Sequence, residues 1–157
     1  MTEHSSASKA LSPVQAARQR WMGILARAKR EDLAAHEQEL QSGAYEILRA
    51  PETGMVMTRA RVGGTGAPFS LGEMTITRCA VRLENGVMGS AYVAGRDKRH
   101  AKLAALADAR LQDADGERWK KELIEPLAAA IAARHRKEAA ETAATRVDFF
   151  TLARGDA

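Results

Sequence analysis

The sequence predicts an α+β domain, an antiparallel four-stranded meander flanked by two N-terminal and two C-terminal helical segments. Apolar residues recur at every third or fourth position after residue 13 and again after residue 98, which is the period of an amphipathic helix. Residues 55–62 and 74–83 instead alternate between two faces, as half-buried strands do. Asn85-Gly86 is a strong hairpin signal, and it predicts antiparallel pairing of the flanking strands.

Length and composition indicate one globular domain. The chain has 157 residues, of which 45% are hydrophobic and 28% charged. We expect residues 1–12 to be a disordered tail and 13–157 to form the domain. The N-terminus has no apolar signal-peptide core and no run is long enough to span a membrane, so we expect a cytoplasmic protein without a membrane partner.

The first two helices are predicted from residues that typically begin or end a helix. Ser12 is suited to cap a helix that has Pro13 in its first turn, and the apolar period continues to about residue 29. A second, short helix is expected over residues 32–41, ended by Ser42-Gly43.

The meander is predicted to contain strands at 45–49, 55–62, 74–83 and 87–94. Pro51 to Gly54 is expected to be a turn between the first two. The Gly63–Gly66 loop has the backbone freedom to cradle a phosphate, but it lies between strands, so a structural turn is favoured.

Two more helices are predicted after the sheet. One begins at Arg96-Asp97-Lys98 and ends near residue 112, and the other covers about 117–145, where Pro126 is expected to kink or divide it. Residues 146–157 no longer follow a helical period. We expect this segment to dock on this or another subunit through Val147, Phe149 and Phe150.

Four arginines form the main candidate for ligand binding. Guanidinium groups bind phosphate or carboxylate through two parallel hydrogen bonds. If the strands pair in a suitable register, one sheet face carries Arg59, Arg61, Arg78 and Arg82. Such a face would be an anion site, a surface for an acidic partner, or a solvated sheet face.

The junction between the sheet and the following helix is a second basic candidate. Helix N-termini attract anions, and Arg96 and Lys98 would strengthen that attraction. His100 is a candidate acid or base, although a lone histidine is more often part of a helix face.

Other chemistry has little support in the sequence. The net charge is +4, so anionic partners are favoured only weakly, and an independent anion-binding or nucleic-acid-binding module is the alternative function. The single cysteine, Cys79, lies in a strand with an apolar face and is expected to be buried. The four histidines are not spaced as metal ligands, and we identify no metal site and no catalytic residue.

Several longer blocks resemble the PhnG family, the G subunit of the bacterial carbon–phosphorus lyase core complex. The blocks follow the family's order from about residue 18 to 156, and they are 20–22, 52–56, 61–66, 77–83, 95–101, 146–151 and 154–156.

The resemblance implies a subunit of an enzyme that displaces adenine from ATP with an alkylphosphonate, giving a ribose 1-phosphonate 5-triphosphate. It also implies partners: the H, I and J subunits, the L subunit for the transferase step, and a second copy of this chain. ATP and the phosphonate are then substrates of the complex. The iron–sulfur cluster belongs to the J subunit, and no cofactor or nucleic acid is expected on this chain, whose role is mainly assembly.

Overall fold

The computed structural model describes residues 11–145. These residues form an α+β structure whose antiparallel sheet has three strands, in the order β1-β2-β3. The elements are α1 (Pro13–Arg27), α2 (Arg30–Ala34), α3 (Glu37–Leu40), β1 (Tyr45–Arg61), β2 (Pro68–Leu83), β3 (Met88–Ala94), α4 (Lys98–Leu111), α5 (Gly116–Trp119) and α6 (Glu125–Ala144). Residues 1–10 and the expected docking segment, with Val147, Phe149 and Phe150, lie outside the described residues.

The prediction of four strands is wrong because the first two are one strand. β1 continues through the expected turn at Pro51, and its register with β2 shifts there, with Arg49 opposite Ala80 and Glu52 opposite Arg78. The shift leaves an extra residue on β1, as a β-bulge does. Proline is tolerated at a bulge of an edge strand because its missing N–H interrupts no ladder there.

Two of the predicted helices are interrupted in the structure. The predicted helix over 32–41 is divided into α2 and α3. The last predicted helix has a π-helical segment, Lys120–Ile124, between α5 and α6. Pro126 lies in the first turn of α6, so its missing N–H and its ring fall where the helical hydrogen bonding has already been rearranged.

Helix α4 is the centre of the hydrophobic core. It is buried along most of its length, from His100 to Leu111, and packs on the inward sheet face that carries Cys79, Val81 and Val93. Because β3 has a glycine, Gly89, where α4 crosses it, the helix backbone lies almost against the strand. Helices α1, α2, α3 and α5 pack against α4, and α6 packs against α1.

One buried carboxylate connects three of these elements. Asp108 of α4 accepts hydrogen bonds from Arg18 Nη2 at 2.8 Å and Trp21 Nε1 at 2.8 Å, both in α1. It also accepts from the backbone N–H of Ser90 in β3 at 2.9 Å. Asp108 is completely buried, so these donors replace the water that its charge would otherwise require.

We expect Asp108→Ala to lower the free energy of unfolding by about 3–5 kcal/mol, because the partly exposed Arg18 and two further N–H donors, from Trp21 and Ser90, lose their buried carboxylate partner together. Chemical denaturation followed by circular dichroism measures the loss. Asp115→Ala is the control: Asp115 is exposed and caps no N–H with its side chain, so a change within about 0.5 kcal/mol is expected. Equal losses of stability from the two substitutions would contradict the role of Asp108 as the buried acceptor that connects α1, α4 and β3.

Gly89→Ala is expected to destabilise the fold by about 1–3 kcal/mol through overpacking. A methyl group there would overlap the carbonyl oxygen of Ala105 and lie 2.6 Å from the amide nitrogen of Ala109. Gly54→Ala in β1 is the matched control, because its added methyl group would meet nothing within 4 Å. Thermal unfolding should show a lower Tm for the first variant and an unchanged or higher Tm for the second.

Candidate functional site

Two of the four candidate arginines share the outward face of the sheet and are paired with acids. Arg78 Nε donates to Glu52 Oε1 at 2.6 Å, and Arg82 Nη2 donates to Glu46 Oε2 at 2.5 Å. Each glutamate lies directly opposite its arginine in the register of β1 and β2. This face therefore has mixed charge, as solvated faces of antiparallel sheets commonly do.

The hypothesis that all four arginines share one face is wrong. Arg59 and Arg61 lie opposite Ser70 and Pro68, and Ser70 is roughly 26 Å along β2 from Arg78 at about 3.3 Å per residue. By the two-residue period of a strand, they also share a face with Met57. The partner of Met57 across the strands is Glu73, which belongs to the opposite face from Arg78. The register, which the sequence did not reveal, separates the four side chains into two pairs.

Electrostatics support the pairing around Glu52. Hydrogen bonds from Arg49 and then Arg78 hold the pKa of the Glu52 carboxyl below its usual value. In turn, the hydrogen bond to Glu52 raises the pKa of Arg78. A depression of about 280 Å³ lies beside this pair, lined also by Tyr92 and Ile76. A phosphate entering it would compete with Glu52 for Arg78.

A second depression, of about 500 Å³, lies beside the other pair. Its lining includes Arg82 together with two carboxylates, Glu46 and Glu84. The carboxylates oppose the entry of an anion, and an approaching basic side chain would meet a more favourable potential there.

The junction before α4 is a capped helix start with exposed basic residues beside it. Asp97 accepts a hydrogen bond from the backbone N–H of His100 at 2.9 Å and faces Arg30 at 3.5 Å, so it serves as the N-cap. Arg96 and Lys98 lie on either side of Asp97 in the sequence, at the surface of the junction. The helix terminus thus has a carboxylate of its own at the position where an anion would bind.

His100 has a structural contact. Its ring is buried, and Nε2 lies 2.8 Å from the carbonyl oxygen of Leu25. A carbonyl only accepts, so Nε2 carries the proton and donates. Leu25 is in the last turn of α1, where carbonyl groups lack helical partners, and His100 therefore satisfies the end of that helix.

The thiol of Cys79, the single cysteine, is buried as well. Burial raises the pKa of the Cys79 thiol, and its Sγ donates to the carbonyl oxygen of Arg49 at 3.4 Å. Within residues 11–145, no three His, Cys, Asp or Glu side chains are grouped to hold a metal ion. None of the helices described is long and apolar enough to cross a membrane.

Sequence reasoning missed Asp108 and the two glutamates that neutralise the arginines. Asp108 is an acid within an apolar helical stripe, a pattern that often indicates a partnered buried charge, but its donors are 18 to 90 residues away in sequence. Glu46 and Glu52 become the partners of Arg82 and Arg78 only in the observed register.

Comparison with known proteins identifies the family. The family model described as "Phosphonate metabolism protein PhnG" matches residues 16–155. The chain belongs to the PhnG family. One similar relative is the "Alpha-D-ribose 1-methylphosphonate 5-triphosphate synthase subunit PhnG" of Rhizobium meliloti (strain 1021), which is 44% identical over 142 residues, covering 90% of this chain and 91% of the relative. The predicted resemblance to PhnG is confirmed.

The PhnG match covers every candidate residue of the chain, from Arg59 to Phe150. The structure adds which of those residues have partners within the fold and which lie at the surface. Arg78, Arg82 and His100 have partners within the fold, whereas Arg96 and Lys98 lie at the surface beside the α4 cap.

We expect Arg78→Gln to raise the pKa of the Glu52 carboxyl, which ¹³C NMR titration measures. Because the folded-state pKa is lowered, the Glu52 pairing stabilises the fold above the unfolded pKa and is lost as the pH falls through the folded value. Arg99→Gln is the matched control, since Arg99 lowers the pKa of Glu37 in the same way. Arg99→Gln should raise the pKa of Glu37 and leave the pKa of Glu52 unchanged. An unshifted Glu52 in Arg78→Gln would contradict the pairing.

Proposed function

We propose that this chain is the G subunit of an α-D-ribose 1-methylphosphonate 5-triphosphate synthase. The strongest support is the 44% identity with a subunit of that name, over nine-tenths of both chains. In the proposed reaction, a complex containing this chain displaces adenine from ATP with an alkylphosphonate, which makes the complex a transferase in phosphonate metabolism. The complex would act in the cytoplasm.

The proposed partners are the H, I and J subunits, with the L subunit for the transferase step, and two copies of this chain in each complex. The iron–sulfur cluster of the assembly would be on the J subunit. ATP and the phosphonate are substrates of the whole assembly, and this chain would contribute mainly structure.

A structural role is supported by what the reactive side chains do. Asp108 receives donors from α1 and β3, His100 satisfies the end of α1, and the Cys79 thiol is buried. Arg78 and Arg82 are each held by a glutamate. These groups have partners within this chain, which favours assigning the chemistry on the substrate to another subunit.

The surface also supports membership of an assembly. Large apolar side chains are exposed along β1 and β2, including Met55 at 67% and Leu71 at 66% of their maximum. Exposed apolar surface of this extent is typical of protein–protein interfaces.

The test is reconstitution of the purified complex with and without this chain. We expect methylphosphonate-dependent release of adenine from ATP by the complete set, and loss of at least about nine-tenths of it when this chain is omitted. A reaction without methylphosphonate is the control for simple hydrolysis, in which water displaces adenine from ATP. Undiminished adenine release without this chain would refute the proposal.

A second arm of the experiment addresses assembly and the alternative function. The full chain and a chain truncated before Arg146 are co-expressed with the I subunit and compared by size-exclusion chromatography with light scattering. If the full chain co-elutes with the I subunit and the truncated chain does not, the segment after residue 145 is needed for assembly. Tight, steeply salt-dependent binding of oligonucleotides by the lone chain, without co-elution, would instead favour an independent nucleic-acid-binding module.

A further inference from the structure

The distal half of the β1–β2 hairpin is a two-stranded arm that the rest of the described fold does not cover. We define the arm as residues 54–75. β3 pairs with β2 from Ile76 to Arg82, and the last backbone link is the Gly95 N–H to the carbonyl oxygen of Thr75 at 2.9 Å. Beyond Thr75, the arm has two strands and two unpaired edges within residues 11–145. Every described core residue of β2 lies at or beyond Ile76, and no residue of the arm is buried.

Both faces of the arm expose large apolar side chains. Met55 and Met57 are exposed on one face, at 67% and 56% of their maximum. Val56 and its cross-strand partner Met74 are exposed on the other, at 37% and 42%. An isolated two-stranded hairpin is marginally stable in water, and apolar residues on both faces do not improve its solvation.

The charge of the arm indicates what kind of surface it fits. The arm contains Arg59, Arg61 and Glu73 as its charged residues, so it is basic overall. Within residues 11–145, neither arginine is ion-paired, and Arg61 donates instead to the carbonyl oxygen of Gly66 at 3.2 Å. Arg78 and Arg82, nearer the core, have their glutamates already. A complementary surface would supply carboxylates near the tip.

The arm could pack against a second copy of this chain or against a different subunit, and the exposure of both of its faces favours the different subunit. If the arms of two copies packed face to face, one apolar face of each would stay in water, and two basic arms would be brought together. Each strand of the arm extends roughly 26 Å, so one face supplies far less than the roughly 800 Å² that each partner contributes to a standard interface. Burial of both faces and the tip gives a larger contact than either face alone.

We propose that the arm inserts into an apolar cleft of a different subunit, and that carboxylates of that subunit meet Arg59 and Arg61. This inference rests on the proposed function, because that function supplies an assembly of unlike chains. It adds the surface by which this chain enters the assembly and the chemistry of the surface that receives it.

The first test is photo-crosslinking within the purified complex of defined subunits. A benzophenone amino acid replaces Met57 on one face and, in a second variant, Met74 on the other; Val14 in α1, exposed at 74%, is the control position. We expect both arm positions to crosslink to one and the same different subunit. Crosslinks mainly to a second copy of this chain, or from one face only, or none from the arm, would overturn the inference.

The second test is charge substitution, measured as the amount of this chain that co-purifies with a tagged partner subunit. We expect Met57→Asp and Met74→Asp each to reduce it at least about tenfold, as truncation of interface anchors does. The double variant Arg59→Glu/Arg61→Glu should reduce it similarly. Met88→Asp in β3, at 54% exposure, is matched to Met57 and should leave it within about twofold.

Separate controls test whether each variant folds and whether the proposed function holds. Circular dichroism of each variant checks that the helices remain, which the position of the arm outside the core predicts. Normal co-purification of the folded arm variants would overturn the inference while leaving the proposed function in place. Adenine release that does not need this chain would refute the proposed function itself.

Discussion

The buried carboxylate of Asp108 holds the core in one arrangement. It accepts hydrogen bonds from α1 and from the backbone of β3, so one side chain fixes a helix, the central helix and an edge strand relative to one another. A hydrophobic surface alone tolerates sliding, whereas a desolvated charge is stable only when its donors are in place. Gly89 reinforces the same contact because α4 then approaches β3 closely.

The fixed core determines what the polar residues can do. His100 is buried where α4 meets the end of α1, and its imidazole is held by a backbone carbonyl. The β1–β2 register places Glu52 and Glu46 against Arg78 and Arg82. Three of the candidate side chains, Arg78, Arg82 and His100, therefore have partners within this chain, whereas Arg96 and Lys98 remain at its surface.

The long hairpin is the feature that the core leaves unexplained. Its distal half lies beyond the described helices and beyond β3, and it exposes methionines on both faces. A chain that must fold alone would gain little from such an arm, since each exposed apolar group and open strand edge invites association. In a PhnG protein, this association has a natural use within a multisubunit enzyme.

Local patterns along the chain were enough to predict the α+β class, the Asn85-Gly86 hairpin, the course of α1 and α4, and the PhnG resemblance, because periodicity and short sequence blocks need no knowledge of distant contacts. They were not enough to show that Pro51 lies within a strand, since a bulge depends on the partner strand. The pairing of Arg78 with Glu52, the separation of Arg59 and Arg61 from them, and the donors to Asp108 emerged only from the folded chain. Each depends on register and helix docking, which are set by contacts between residues distant in sequence.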